Sequence, residues 1–137
     1  STFICALHAG WKGSLNNIIQ SAIKKILKKG IDPFNLIAIV GPCLAKKNFE
    51  VDSKLKNLFL KQDSKYKIYF NKKSKNNKFK FDMRGLINFQ LKKCLVRKIV
   101  NINLDTYANS NKFYSHRRST HENTLPTGRM INIIAFK

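Results

Sequence analysis

A chain of 137 residues suffices for one compact domain that buries about two-thirds of its unfolded surface. It carries 27 Lys and Arg against 7 Asp and Glu, a formal net charge of +20. No apolar run approaches the length of a bilayer span and no secretory leader pattern opens the chain, which argues against a membrane-spanning or exported protein. In chain order, residues 2 to 8 alternate, with Phe3, Cys5 and Leu7 on one side and Ile4, Ala6 and His8 on the other, so a strand is predicted that ends in His8. Ser14 is the predicted cap of a helix whose apolar stripe runs Leu15, Ile18, Ile19, Ala22, Ile23, Ile26 and Leu27, with Gly30 just past its end. Asp32-Pro33 makes a turn, and Leu36 to Val40 follows as a continuous apolar strand stopped by Gly41-Pro42. Asn48 to Val51 reads as a short strand, and Asp52 or Ser53 caps a helix through about Leu60. Tyr66 to Phe70 is a predicted strand, Asn71 to Lys78 an exposed loop, and Asp82 opens a helix with Met83, Leu86, Ile87, Leu91, Cys94 and Leu95 on one face. Lys98 to Leu104 and Met130 to Phe136 look like strands, with Arg117 to Thr127 a polar loop between them. Interleaved strands and helices imply an α+β domain, a sheet covered by helices.

A charge of +20 points first to nucleic acid, because lysine and arginine release counterions from phosphates. The distribution argues otherwise. Lysine greatly outnumbers arginine and is mixed with asparagine, as in Lys72-Lys73-Ser74-Lys75-Asn76-Asn77-Lys78, and no RNP-like, zinc-finger or basic-zipper pattern is present. The basic surface reads as solvated, with nonspecific binding to polyanions as its consequence. Three cysteines without CxxC spacing read as reduced thiols, so the cytoplasm is the expected compartment.

Three constellations carry chemistry. His8-Ala9-Gly10-Trp11-Lys12-Gly13 places an imidazole between a strand end and a helix start, with glycines that let another group approach and an indole face that suits either a base or the core. A lone histidine there is either a hydrogen-bonded structural residue or a ligand. The second is Phe113-Tyr114-Ser115-His116-Arg117-Arg118, followed by His121 and Gly128-Arg129. Three of the five arginines of this lysine-rich chain fall here, which calls for a guanidinium, most simply on phosphate. Adjacent arginines in an extended segment point to different sides, so one of Arg117 and Arg118 is expected at any given pocket. The third is Gly41-Pro42-Cys43, where the thiol is either a nucleophile or ligand or, on the better reading, a small buried hydrophobe. Cys5 and Cys94 both lie on apolar faces of the predicted elements.

Together these segments resemble a known family. The HAGWKG run from His8 to Gly13, Val40-Gly41-Pro42-Cys43-Leu44 continuing to Phe49-Glu50-Val51, the helix opened by Asp82 with Asn88, and Phe113 to Arg118 through Thr127-Gly128-Arg129-Met130 occur in the order seen in laccase-domain proteins. These were first called multicopper polyphenol oxidases and are regarded as purine nucleoside phosphorylases. The resemblance covers nearly the whole chain. It implies a layered αββα-type fold of mixed β-sheets flanked by helices, here as the C-terminal portion only, since the chain lacks an initial methionine and opens directly on a strand-like segment.

The activity it implies is cleavage of the N-glycosidic bond of adenosine, inosine or methylthioadenosine by phosphate, with adenosine deamination as a second reaction. The implied metal is zinc, with copper as the alternative, held by two histidines and a cysteine of which His8 matches the last; the other two belong to an N-terminal portion, and Cys43 is not one of them. His8 is thus the expected metal ligand and catalytic residue, and Arg117 or Arg118 the expected substrate and phosphate contact. A portion with one ligand of three is expected to have little activity by itself. A copper-dependent phenol oxidase needs several histidine-rich sites, which three histidines cannot supply, and a nucleic-acid-binding module remains the alternative from the basic surface.

Overall fold

The computed structural model describes residues 3–72 and 77–136. Its helices are α1 (Trp11–Leu15), α2 (Ile18–Leu27), α3 (Ser53–Gln62), α4 (Met83–Lys93) and α5 (His116–His121). Strands β1 (Ile37–Val40) and β5 (Lys98–Asn101) pair in parallel, Ile37 opposite Lys98. Strands β2 (Glu50–Val51), β3 (Phe70–Lys72) and β4 (Phe79–Phe81) form an antiparallel sheet in the order β2-β4-β3. The fold is therefore α and β with one parallel and one antiparallel sheet, flanked by helices.

Two apolar clusters hold these layers. Phe59 of α3, Phe70 and Phe81 of the antiparallel sheet, Leu86 of α4 and Tyr66 pack as one, with the rings of Phe70 and Phe81 stacked at 4.5 Å. The second joins Ile19, Ile23 and Ile26 of α2 to Val96, Ala38 and Ile99, so α2 covers the inner face of the parallel ribbon. Ile87 of α4 touches both clusters, which makes α4 the element common to the two.

Helix ends follow their caps. Asp52 and Asp82 accept from Leu55 N and Gly85 N, opening α3 and α4 where the sequence predicts. After α2, Gly30 takes φ +73° while Gly30 N and Ile31 N bond back to Leu27 O and Ile26 O, a Schellman closure. α4 closes in the same way through Leu95 and Val96, which puts Leu95 at φ 63° and leaves it 71% exposed rather than on the helix's apolar face.

Six other expectations are corrected in whole or in part. Ser14 does not cap a helix: it is buried inside α1, and α2 starts separately after Asn17, whose φ is 55°. Residues 3–8 form no regular element and join no ladder among the described residues, and Cys5 is exposed. Ser64–Tyr69 is a 3-10 helix, because Asp63 accepts from Lys65 N and starts a turn whose three-residue period turns Tyr66 and Tyr69 inward and Ile68 out. The polar stretch after Ser115 begins as α5, since Ser115 Oγ accepts from Arg118 N. Residues 130–136 form no strand and leave Ile131 and Ile133 exposed. Of the predicted loop at 71–78, Asn71 and Lys72 belong to β3, and residues 73–76 lie outside the described ones.

Candidate active site

The motif at His8 is built around close backbone approach. A Cβ on Gly10 would stand 2.9 Å from His8 Nε2, so the exposed imidazole lies directly over this glycine. α1 begins on the next residue. Its carbonyl end, too short to be stable alone, is held by side-chain amides: Gln90 Nε2 donates to Ser14 O at 3.0 Å and Gln62 Nε2 donates to Leu15 O. Ser14 is fully buried, and its Oγ donates to Ala9 O at 3.4 Å. These contacts fix Trp11 at the rim of a cleft.

The opposite wall comes from the segment around α5. Arg118 spends its guanidinium on three carbonyls, Phe113 O at 2.6 Å, Tyr107 O at 2.7 Å and Thr106 O at 2.9 Å, and so staples its own loop together. Arg117 turns to the cleft, with Nη1 donating to Glu50 O at 2.9 Å and its guanidinium 5.7 Å above the ring of Phe49. On a helical turn these neighbours diverge, as they would in an extended segment. Tyr114 rests against Gly128, where a Cβ would meet its ring at 2.7 Å, and keeps 58% of its surface open.

Asp105, which sequence reasoning passed over, anchors the loop behind the second wall. Its carboxylate accepts from Asn48 Nδ2 at 2.7 Å, Tyr107 N at 3.0 Å and Ala45 N at 3.2 Å, tying the loop after β1 to the loop that Arg118 clamps. Burial raises the cost of its charge, but the hydrogen bonds from Ala45, Tyr107 and Asn48 outweigh it and hold the carboxyl below the ordinary carboxylate range. Arg84 adds a second tie, donating from Nη2 to Cys43 Sγ at 3.2 Å and Leu104 O at 3.1 Å, and from Nη1 to Asn103 Oδ1 at 3.0 Å. Burial raises the Cys43 thiol above its usual value and the Arg84 cation offsets this only in part, so the thiol stays protonated at neutral pH. The scarcity of arginine was the available signal for Arg84; for Asp105 it was an Asp followed two residues later by a backbone donor, the Asx-turn pattern.

The cleft so formed encloses about 710 Å³. Trp11, Phe49 and Tyr114 line it together with His116, the cationic Arg117 and Lys54, and the acidic Glu50 and Asp52. Neither His8 nor Arg118 is among its walls. Among the described residues no three His, Cys, Asp or Glu side chains come together to hold a metal ion. The residues present therefore do not fit a zinc or copper centre unaided: His8 offers one donor where stable sites need at least three.

A family model described as multi-copper polyphenol oxidoreductase laccase matches residues 1–137. The chain belongs to this family. It is 44% identical over 134 residues to a protein of Rickettsia conorii and 38% identical over 130 residues to one of Rickettsia prowazekii, both named purine nucleoside phosphorylase. The matches take in 98% and 95% of this chain but 55% and 53% of those relatives, so the chain spans about half their length. Among solved structures, the Neisseria meningitidis protein NMB0706, of the family called DUF152, superposes with a TM-score of 0.74 at 25% identity, over 81% of this chain and 44% of that one. YlmD of Geobacillus stearothermophilus shows the same fold, with a TM-score of 0.74 at 20% identity over 82% of this chain and 43% of that one.

Proposed function

We propose that the cleft is the nucleoside and phosphate site of a purine nucleoside phosphorylase, and that residues 1–137 supply one side of it. The observation that carries this reading is the convergence of Trp11, from the HAGWKG segment, with Tyr114, His116 and Arg117, from the far end of the chain, on one cleft. The names of the relatives support the same class of reaction.

In phosphorolysis an oxygen of phosphate bonds to C1′ of the ribose, the C1′–N9 bond breaks, and the purine leaves with the bonding electrons and takes up a proton. Positive charge develops on the sugar meanwhile, so the protein gains most by placing phosphate beneath C1′ and easing the departure of the base. The rings of Trp11 and Tyr114 offer flat faces for the purine. Arg117, oriented by Glu50 O, supplies a permanent cation for phosphate. His116, whose imidazole both donates and accepts, is suited to passing a proton to the departing base. Adenosine, inosine and methylthioadenosine are the proposed substrates. Adenosine deamination is a companion reaction to assay, with no step assigned to these residues.

A zinc or copper ion bound through His8 requires two further donors from outside the described residues, and none of these steps is routed through it. Placement in the cytoplasm belongs to the same proposal. Among the described residues no helix is long and apolar enough to cross a membrane.

Trp11 is the single tryptophan of the chain and reports on the cleft directly. Titrating the chain with inosine in phosphate buffer should change its emission saturably, and Tyr114→Ala should remove most of that change. An emission spectrum indifferent to inosine would reject the assignment of the cleft.

A further inference from the structure

The chain that leads into α3 presents two carboxylates to the cleft, and they are held differently. Val51 is buried in the aromatic cluster, so strand alternation turns its neighbours Glu50 and Asp52 to the opposite side, where both line the cleft. Glu50 pairs at 3.5 Å with Lys80, its partner across the ladder, and its carbonyl receives Arg117. Asp52 is exposed, and its Oδ1 accepts from Leu55 N at 2.8 Å, which fixes the carboxylate as the cap of α3. Among the described residues no cation pairs with Asp52, not even Lys54 of the same cleft. Its Oδ2 is therefore an acceptor already oriented by the cap and not taken up by the protein.

Building on the nucleoside and phosphate reading of this cleft, we propose that Asp52 is its sugar-specificity residue: the second carboxylate oxygen accepts from the 2′,3′-diol and so selects ribonucleosides over deoxyribonucleosides. In a β-ribonucleoside both hydroxyls lie on the ring face opposite the base, and phosphate attacks C1′ from that same face. The groups that hold phosphate and those that hold the diol must then be neighbours. Arg117 is held at Glu50 O, and Asp52 follows two residues later, roughly 7 Å along extended backbone. A carboxylate repels phosphate and has no proton to donate to it, so Asp52 suits the sugar and the anion belongs at Arg117. A hydroxyl donating to a carboxylate makes a charge-assisted bond, about twice as strong as a neutral one. Because the cap already holds the side chain, little rotamer freedom is lost when that bond forms.

The test compares inosine with 2′,3′-dideoxyinosine, which keeps the purine and lacks both hydroxyls, by titrating Trp11 emission of the 137-residue chain at fixed phosphate. Inosine should bind at least about tenfold more tightly than the dideoxy compound. Asp52→Ser keeps a good helix cap but is too short to reach the sugar. It should bring the ratio of affinities close to one by weakening inosine alone, with the affinity for dideoxyinosine and the melting temperature unchanged. A side chain that only shaped the start of α3 would weaken both ligands alike. Equal affinities in the parent, a preference for inosine that survives in Asp52→Ser, or a parallel loss of both ligands would each overturn the role of Asp52 while leaving the nucleoside cleft in place. Emission indifferent to both nucleosides would instead reject the cleft assignment, and the role of Asp52 with it.

Discussion

Asp105 shows how one side chain fixes a site it does not enter. Three donors converge on its carboxylate while the residue is only 8% exposed, so Asp105→Ala leaves half-buried N–H groups unpaired and should cost about 1–2 kcal/mol in a denaturant titration. The pH dependence follows from the direction of its shift. A carboxyl held below its unfolded value stabilises the fold fully above that value and loses the contribution as pH falls through the folded one. Stability should therefore decline below about pH 4, and Asp105→Asn should flatten that decline. A steep acid transition retained in the asparagine variant would move the effect to another group. Cys43 makes a complementary prediction: its half-buried, protonated thiol should react with iodoacetamide more slowly than exposed Cys5, as peptide mapping after a brief pulse will show.

At the scale of elements, the best-read segments are those whose caps and apolar stripes agree. Asp52, Asp82 and Gly30 mark helix ends because each satisfies a backbone group within a few residues. The misread ones depend on partners distant in sequence or on a period that short segments leave ambiguous. Tyr66 to Phe70 alternates like a strand, but Tyr66 and Tyr69 also sit three apart, and the turn opened by Asp63 selects the 3-10 period. Residues 3–8 and 130–136 have strand-like composition without a described strand beside them, and composition alone makes no ladder. In the site, the aromatic and arginine residues were visible by type; the amides that hold α1 were not, because nothing in the local sequence of Gln62 or Gln90 points to Ser14 and Leu15. Gln90→Met keeps the volume but removes both the bond to Ser14 O and that to Tyr66 Oη, so it should cost about 1–3 kcal/mol and alter Trp11 emission as α1 loosens. Leu95→Gly should do the opposite, stabilising the protein by about 1 kcal/mol through relief of a left-handed leucine at the α4 terminus. Thermal melts of the two variants give the signs.

Across the whole molecule, the two clusters meet at α4, so damage to either should be felt by the cleft that both support. Phe59 has no exposed surface and touches Tyr66, Phe70 and Phe81; its replacement by alanine should cost about 3–5 kcal/mol and unfold the antiparallel sheet first. The basic surface acts on a different level: weak binding to polyanions should vanish with added salt, whereas ligand binding in the cleft should persist, since it combines stacking with a single oriented arginine. That difference leads to the most direct measurement on the central claim, that the cleft holds a purine nucleoside and phosphate together. Calorimetric titration with inosine at several phosphate concentrations should show phosphate tightening inosine binding, and Arg117→Ala should remove this coupling while inosine still binds without phosphate. Inosine affinity that ignores phosphate, or coupling that survives in Arg117→Ala, would contradict it.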